Sequence, residues 1–209
     1  MPSISTFISS RRQALVWLVA SGTLRLSGCD PHTSGLYGGN SPFKGIDVTG
    51  ADYASGFQLT DFNGQTRSLS DFKGKVVMLY FGFVQCPDVC PTALTRAAAV
   101  MQQLGPQAAE LQVIFVTVDP ERDTPEILRE YMAAFDPSFV ALRGDAQRLK
   151  ETAAEFKVFY RQVPTGSSYT MDHTALSYVF DTQGRLRLAL KHEQTAEDYA
   201  HDIALLARQ

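Results

Sequence analysis

A continuous apolar run at residues 75–83 restricts the possible folds of this chain more than any other feature of its sequence. The run contains aromatic and β-branched residues, a composition that is typical of a strand buried on both faces of a sheet. A second run of this type lies at 111–118, and a shorter one lies at 139–143. Helical spacing of apolar residues separates the three runs, so the sequence predicts an α/β fold in which helices cover a central sheet.

The remaining elements indicate how this sheet is completed at both ends. Turn signals at Asn63-Gly64 and at residues 181–184 predict two hairpins, the first with a type I′ turn. The predicted elements outside the central strands are hairpin arms at 57–61 and 65–69, helices at 91–104, 125–135, 146–156 and 195–207, an inserted hairpin excursion at 158–163 and around Tyr169, and hairpin arms at 175–180 and 185–190. A parallel crossover followed by a terminal antiparallel hairpin and helix predicts a thioredoxin-like topology with a mixed sheet.

The N-terminal segment carries the features of an export signal. Arg11 and Arg12 precede a short apolar run at 14–20, and small residues precede Cys29. The run is too short for a permanent transmembrane helix. The sequence Leu-Ser-Gly-Cys that ends at Cys29 resembles the lipobox of bacterial lipoproteins, which implies cleavage before this cysteine and a diacylglycerol group on it. Asp30 resembles the signal that retains such lipoproteins at the inner membrane.

This interpretation divides the chain into a lipoprotein signal peptide at 1–28, a flexible tether at 29–50 and a thioredoxin-like domain at 51–209. The tether is rich in Pro, Gly, Ser and Asn and has few large apolar side chains, as linkers have. We expect the lipid to hold the domain on the extracytoplasmic, periplasmic side of the bacterial cytoplasmic membrane. The alternative for the first segment is an amphipathic helix with an incidental cysteine. A net charge of −3 without a basic stripe argues against a nucleic-acid partner.

Two cysteines directly after the first central strand are the strongest functional signal. Cys86 and Cys90 flank Pro87-Asp88-Val89, and sites in α/β folds gather in the loops beyond the carboxyl ends of strands. Residues four apart on a helical turn lie on one face, so the two sulfurs can meet. A helix N-terminus favours the thiolate, which is both the nucleophile and the metal ligand. If Cys29 carries lipid, only this pair remains for chemistry.

Several roles are open to this pair. The two thiols can close a disulfide, bind one metal ion, or fill the core, since cysteine is often buried. Their setting among proline and aspartate in a predicted loop favours function over packing, and a disulfide across so few residues would add little stability through loop closure. The three-residue spacer differs from the two-residue spacer of thioredoxin-type exchange, and a zinc site of the paired type would need a second cysteine pair.

One of the four histidines, His173, lies where it can join the cysteines. It precedes the strand predicted at 175–180, in a loop that a thioredoxin-like sheet would turn toward the cysteine helix. Two thiolates and one imidazole form a soft set of low coordination number that suits copper, as Cu(I) or Cu(II), with one ion per chain. We therefore predict Cys86, Cys90 and His173 as the metal ligands, with Asp172 as a hydrogen-bond acceptor that orients the histidine.

The other candidate ligands have simpler explanations. His32 lies in the predicted tether, His192 follows a strand at the other end of the terminal hairpin, and His201 lies on the polar side of the last helix. We expect these three histidines to be exposed to solvent. Met171 could add a soft sulfur, but a methionine beside a strand is more often a core residue.

Three segments resemble the signatures of the Sco/SenC family of copper chaperones, in the order and at the spacing of that family. They are residues 80–92, with the sequence YFGFVQCPDVCPT, residues 118–125, with the sequence VDPERDTP, and Asp172-His173-Thr174. The resemblance covers the chain from about residue 52 to its end. It implies a thioredoxin fold, copper held by the two cysteines and the histidine, and a role in assembling the copper centre of cytochrome c oxidase.

Two positions in these segments call for comment. Gln85 stands where many members of the family have a histidine. The segment 119–125 is explained as the exit of a strand and the start of a helix, because Thr124 can cap that helix and Pro125 fits its first position. We expect no catalytic role for this segment.

Three functions compete at this point. A metallochaperone would bind copper at the reduced dithiol and His173 and pass it to a cytochrome c oxidase subunit, with a thiol reductant keeping the cysteines open. A thiol–disulfide oxidoreductase would use Cys86 and Cys90 as a redox dithiol and would not need the histidine. A peroxidase would need a cation beside its reactive thiol, and Arg96 is the candidate for that cation.

Overall fold

The computed structural model describes residues 41–209 of the chain, where strands and helices alternate as the apolar pattern predicts. The strands are β1 Ile46–Asp47, β2 Gln58–Asp61, β3 Thr66–Ser68, β4 Val76–Gly82, β5 Leu111–Thr117, β6 Val140–Arg143, β7 Tyr160–Thr165, β8 Ser168–His173, β9 Leu176–Phe180 and β10 Leu186–Lys191. The helices are α1 Val89–Leu104, α2 Pro125–Ala133, α3 Ala146–Glu155 and α4 Ala196–Ala207. Short 3₁₀ helices, Leu69–Phe72 and Gly105–Glu110, follow β3 and α1.

Eight of these strands form the central sheet, in the order β1-β10-β9-β4-β5-β6-β2-β3. Strands β4, β5 and β6 are parallel, and the other neighbours in this sheet pair antiparallel. Strands β7 and β8 form a separate two-stranded hairpin, which is the inserted excursion that the sequence predicts. The predicted α/β class, with a central mixed sheet flanked by helices, is confirmed.

Strand β4 lies in the middle of the sheet because its whole length is apolar. All seven of its residues are buried, as expected for a strand that is covered on both faces. Its parallel register with β5 sets Gly82 beside Thr117, so both strands end at the same edge of the sheet. The N–H of Val118 donates to the carbonyl of Gly82 at 2.8 Å and continues the pairing beyond the strands. The loops with the predicted ligands begin at this edge.

Two helix starts determine which residues surround that edge. Helix α1 begins at Val89, two residues before the predicted start, so Cys90 lies in its first turn. Helix α2 begins as predicted, because the N–H of Ile127 donates to the hydroxyl of Thr124 at 3.4 Å and Pro125 is its first residue. The cysteine pair therefore spans the entry of a helix, and the segment 119–125 leads into another.

The first hairpin is correctly predicted, but its turn type is wrong. A type I′ turn needs positive φ at both central residues, whereas in this turn only Gly64 has a positive φ, +80°. The carbonyl of Asp61 accepts the N–H of Gly64 at 3.0 Å, and its carboxylate accepts the N–H groups of Asn63 and Gln65 at 2.8 and 3.0 Å. The buried aspartate therefore builds a three-residue turn around itself, and the Asn-Gly pair alone does not determine the turn.

The ordered domain begins earlier than residue 51. Strand β1 lies inside the segment assigned to the flexible tether and pairs with β10. Just before it, the N–H groups of Lys44 and Gly45 donate to the buried carboxylate of Asp202 at 2.8 and 2.7 Å. The tether boundary is therefore wrong at this end, because the sequence gives little sign of a two-residue edge strand held by a distant acid.

The predicted signal peptide, Cys29 and His32 lie outside the described residues. Within residues 41–209, no helix combines the length and the apolar character that crossing a membrane requires.

Candidate metal centre

The loop between β4 and α1 carries the first predicted ligand and is fixed at both ends. The carboxylate of Asp123, itself buried, accepts the N–H of Val84 at 3.1 Å. The same carboxylate accepts the hydroxyl of Thr117, at the end of β5, at 2.5 Å. The N–H of Cys86 donates to the carbonyl of Phe83 at 3.3 Å, which turns the chain toward the helix. Burial raises the pKa of Asp123 above its ordinary value, although both hydrogen bonds oppose that rise.

The three predicted ligands converge at the edge of the sheet. The sulfurs of Cys86 and Cys90 and one ring nitrogen of His173 all lie within 4.8 Å of one another. The distance from Cys90 Sγ to His173 Nε2 is 3.4 Å, and the N–H of Cys90 donates to the sulfur of Cys86 at 3.4 Å. Two soft donors and one imidazole at these distances can share a single metal ion. The convergence that the sequence predicts is confirmed.

The histidine reaches the cysteines from the end of a strand. His173 is the last residue of β8, paired with Tyr160, so the prediction that it lies in a loop is wrong. Its Nδ1 lies 3.1 Å from the carbonyl of Thr174, a contact that requires the proton on Nδ1. The lone pair of Nε2 then faces the two sulfurs. A ligating histidine is commonly oriented in this way by a carbonyl behind it.

The prediction that Asp172 orients this histidine is also wrong. Successive residues of a strand point to opposite faces, so Asp172 faces away from His173. Its carboxylate pairs instead with Arg161 at 3.2 Å, and both side chains are more than half exposed. The sequence motif placed the acid next to the histidine along the chain, and the pleat separates their side chains.

The two thiols differ in acidity. A hydrogen bond from the Cys90 thiol lowers the pKa of Cys86, and the N–H groups of Asp88 and Cys90 act in the same direction against burial. The same thiol–thiolate contact, together with burial, raises the pKa of Cys90. In the metal-free protein at neutral pH, Cys86 is therefore the thiolate and Cys90 the thiol that stabilises it. Cys86 is therefore the better nucleophile of the two.

Apolar rings and a close-packed strand end surround the site. The rings of Tyr80 and Phe83 stand edge-on to the His173 ring, with centroids 6.1 and 5.9 Å away. A Cβ atom on Gly82 would lie 2.9 Å from the sulfur of Cys90, so the backbone of β4 passes directly beneath that sulfur. Cys90 itself is fully buried. The site is therefore dry on the strand side, which favours soft sulfur coordination over binding of a hydrated ion.

The other candidates lie elsewhere. Among the described residues, the two cysteines and His173 form the one group of three side chains that could hold a metal. His201 is exposed and contacts the Asp202 carboxylate at 2.9 Å, as a surface histidine can, whereas His192 is half-buried and not fully exposed as predicted. Met171 is a buried core residue, as predicted. Arg96, the cation that a peroxidase would need, lies over the ring of Tyr199.

The segment 119–125 does more than the sequence indicates. Besides starting α2, it places the side chains of Arg122 and Asp119 against Tyr169 on β8. Arg122 also donates to the side chain of Gln85, next to Cys86, at 3.1 Å. The sequence did offer a signal for this role, because charged residues directly follow a central strand at the edge that carries the cysteines.

Comparison with known proteins agrees with this geometry. Residues 47–208 match the family model described as SCO1/SenC. The chain belongs to the SCO1/SenC family. A SCO2-like protein of Rickettsia felis is 37% identical over 139 residues, which is 65% of this chain and 66% of that protein. The mitochondrial protein SCO2 of Saccharomyces cerevisiae is 37% identical over 138 residues, or 64% of this chain and 46% of that protein. The matched segment therefore covers less than two thirds of the length of each of these two relatives.

Solved structures of other family members share the fold. The structure of Bradyrhizobium japonicum ScoI with copper bound is 39% identical and covers 72% of this chain and 97% of that one, with a TM-score of 0.67. The solution structure of apo Sco1 from Thermus thermophilus is 37% identical and covers 81% and 99% of the two chains, with a TM-score of 0.71. The predicted thioredoxin-like Sco fold is confirmed.

Proposed function

We propose that this SCO1/SenC protein is a copper metallochaperone that binds one copper ion through Cys86, Cys90 and His173. The observation that carries the proposal is the convergence of two sulfurs and one imidazole nitrogen within 4.8 Å. Relatives whose structures were solved with copper bound, from Bradyrhizobium japonicum and yeast, support copper as the ion. Thiolate sulfur prefers Cu(I), and the imidazole accepts either oxidation state.

The acidity of the two thiols gives an order to copper capture. Cys86 is already a thiolate and, together with the free lone pair of His173 Nε2, offers two donors without loss of a proton. Cys90 must release its proton as it becomes the third donor, so binding is accompanied by release of one proton. The bound ion is cargo, and a partner with its own soft ligands can take it by stepwise exchange at the half-buried histidine side.

The family and the N-terminal sequence support a proposal for the partner and the location. We propose a copper-binding subunit of cytochrome c oxidase as the acceptor, and a thiol reductant that keeps the cysteine pair open, since a closed disulfide cannot bind copper. We also propose a signal peptide at 1–28 and a lipid on Cys29, which would hold the domain on the periplasmic face of the membrane. Radiolabelled lipid on the wild type and none on Cys29→Ser would support the anchor.

A second candidate function is supported by the unequal thiols. The Cys86 thiolate could attack a disulfide of a target protein and form a mixed disulfide, releasing one target thiolate. Cys90 would then attack Cys86, closing the Cys86–Cys90 disulfide and releasing the second target thiol, so that the target is reduced and this protein oxidised. A redox role needs both cysteines and does not need His173.

The test of the proposed function is copper stoichiometry and affinity on the reduced protein. The wild type should hold about one copper per chain, the Cys86→Ser, Cys90→Ser protein should hold none tightly, and His173→Ala should bind weakly. Oxidase assembly measured in the same variants separates the two candidates. Full assembly with His173→Ala, despite weakened copper binding, would favour the reductase. Unchanged copper in the double cysteine variant would refute the metallochaperone.

A further inference from the structure

The hairpin that carries His173 is not part of the central sheet. Strands β7 and β8 pair only with each other within the described chain, so no ladder of backbone hydrogen bonds fixes their position relative to the cysteines. At the base of the hairpin, Phe159 and Thr174 exchange two hydrogen bonds, of 3.0 and 3.1 Å. A two-stranded hairpin without further contacts is only marginally stable. Met171 on β8 also packs into the core, but packing is not directional, and directional contacts would fix the histidine more closely.

Tyr169 provides the directional contacts. Apart from the contacts of His173, the side-chain hydrogen bonds that join the hairpin to the rest of residues 41–209 all involve Tyr169. Its carbonyl accepts Nη1 of Arg122 at 2.8 Å, and its hydroxyl donates to the Asp119 carboxylate at 2.9 Å. The guanidinium of Arg122 lies 3.7 Å from the centre of the Tyr169 ring, and its Nε donates to Asp119. We call the cluster of Arg122, Asp119, Tyr169 and Gln85 the Arg122 clasp.

The clasp also reaches the cysteine loop. Nη1 of Arg122 donates to Oε1 of Gln85 at 3.1 Å, and Gln85 immediately precedes Cys86. One nitrogen therefore joins the loop of the first sulfur ligand to the hairpin of the nitrogen ligand. A planar guanidinium can stack on a ring and donate in several fixed directions at once, which a lysine ammonium cannot do. Arg122 is largely buried and its bond to Tyr169 is partly buried, whereas Gln85 is exposed and its bond to Arg122 is open to competition from water.

We propose that Arg122 is a positioning residue that holds the hairpin of His173 against the cysteine loop and thereby sets the distance between the imidazole and the sulfurs. The proposal rests on the proposed copper function. Arg122 does not ligate copper and acts only through His173. Residues that orient a metal ligand contribute about tenfold to a hundredfold to metal affinity, so loss of the clasp should weaken copper binding by such a factor.

The test is a double-mutant cycle on Cu(I) affinity, measured by competition with a chromogenic chelator. Arg122→Gln should weaken binding about tenfold or more in the wild-type background. In the His173→Ala background the same change should alter affinity by less than about threefold, because the residue it positions is gone. Arg122→Lys should recover only a small part of the loss. Because Arg122→Gln leaves the buried Asp119 carboxylate without its positively charged partner, the cycle is repeated with Asp119→Asn present in every protein.

Arg161→Gln is the matched control. Arg161 lies on the same hairpin and pairs with the residue next to His173, but it makes no contact with the cysteine loop. Its removal should leave copper affinity unchanged within about twofold. An equal loss from Arg122→Gln in both backgrounds, full recovery by Arg122→Lys, or no loss at all would overturn the inference. A wild type that binds no copper would instead overturn the proposed function.

Discussion

Replacing Gly82 by alanine should disturb the core and the metal centre with one methyl group. The new Cβ would lie 2.7 Å from Cε2 of Phe115 and 2.9 Å from the sulfur of Cys90, distances too short for carbon. Neither neighbour can withdraw easily, because both are fully buried. The Phe115 ring is itself confined between Tyr80 and Tyr131, whose ring centres lie 6.5 and 6.0 Å away. The backbone at Gly82 has no positive φ, so the effect is steric.

The size of the effect follows from these contacts. One extra carbon in a closely packed core destabilises a protein by about 1–3 kcal/mol. Alanine also restricts the unfolded chain, which returns about 0.4–1 kcal/mol, so the net loss lies between about 0 and 2.6 kcal/mol, and we expect about 1–2 kcal/mol. For a domain of this size, that loss lowers the melting temperature by about 2–8 °C. Displacement of the Cys90 sulfur should weaken copper binding in addition.

Thermal unfolding of the reduced, metal-free protein and Cu(I) competition measure the two effects. Gly56→Ala is the control, because a Cβ at Gly56 meets no atom within 4 Å and its φ is not positive. That variant should bind copper like the wild type and melt at the same or a slightly higher temperature, because alanine restricts the unfolded chain by about 0.4–1 kcal/mol. If Gly82→Ala has the same melting temperature and the same Cu(I) affinity as Gly56→Ala, the close packing of the strand against the cysteine is refuted.

Three further predictions concern the ligands and one buried acid. His173→Ala should weaken Cu(I) binding about tenfold or more in a chelator competition, yet leave the melting temperature of the metal-free protein almost unchanged. The Cys86 thiolate should persist to lower pH than an ordinary thiol in an ultraviolet titration, and Cys90→Ala should move its pKa upward by removing the hydrogen bond that lowers it most. Asp181→Asn should reduce the free energy of unfolding by about 1–3 kcal/mol at neutral pH. Burial opposes the shift, but hydrogen bonds from Arg185 and Arg187 hold the pKa of Asp181 below its ordinary 3.8. Its contribution is therefore complete above that value and disappears as the pH falls through the lower folded pKa, as urea unfolding at several pH values would show.

The features that could be predicted from the sequence have local causes. The apolar run of β4 can only be a covered strand, and the i, i+4 spacing of Cys86 and Cys90 brings both sulfurs to one side of a helix entry. The approach of His173 required a topology as well as a motif, and the strand order supplied it. These elements predict which three side chains meet at the edge of the sheet.

The features that the sequence did not reveal depend on contacts between distant residues. Strand β1 exists because Asp202, more than 150 residues later, holds the chain that leads into it. The first turn is built by the carboxylate of Asp61, and the Asn-Gly signal does not encode that contact. The clasp formed by Arg122 joins three segments of the sequence, while the motif alone shows only a strand exit and a capped helix.

X-ray absorption at the copper edge of the Cu(I)-loaded protein tests the central claim most directly. The geometry of Cys86, Cys90 and His173 predicts two sulfur neighbours and one imidazole nitrogen around a single ion, with the nitrogen lost in His173→Ala. A spectrum with two sulfurs and no imidazole, unchanged by His173→Ala, would contradict the three-ligand site.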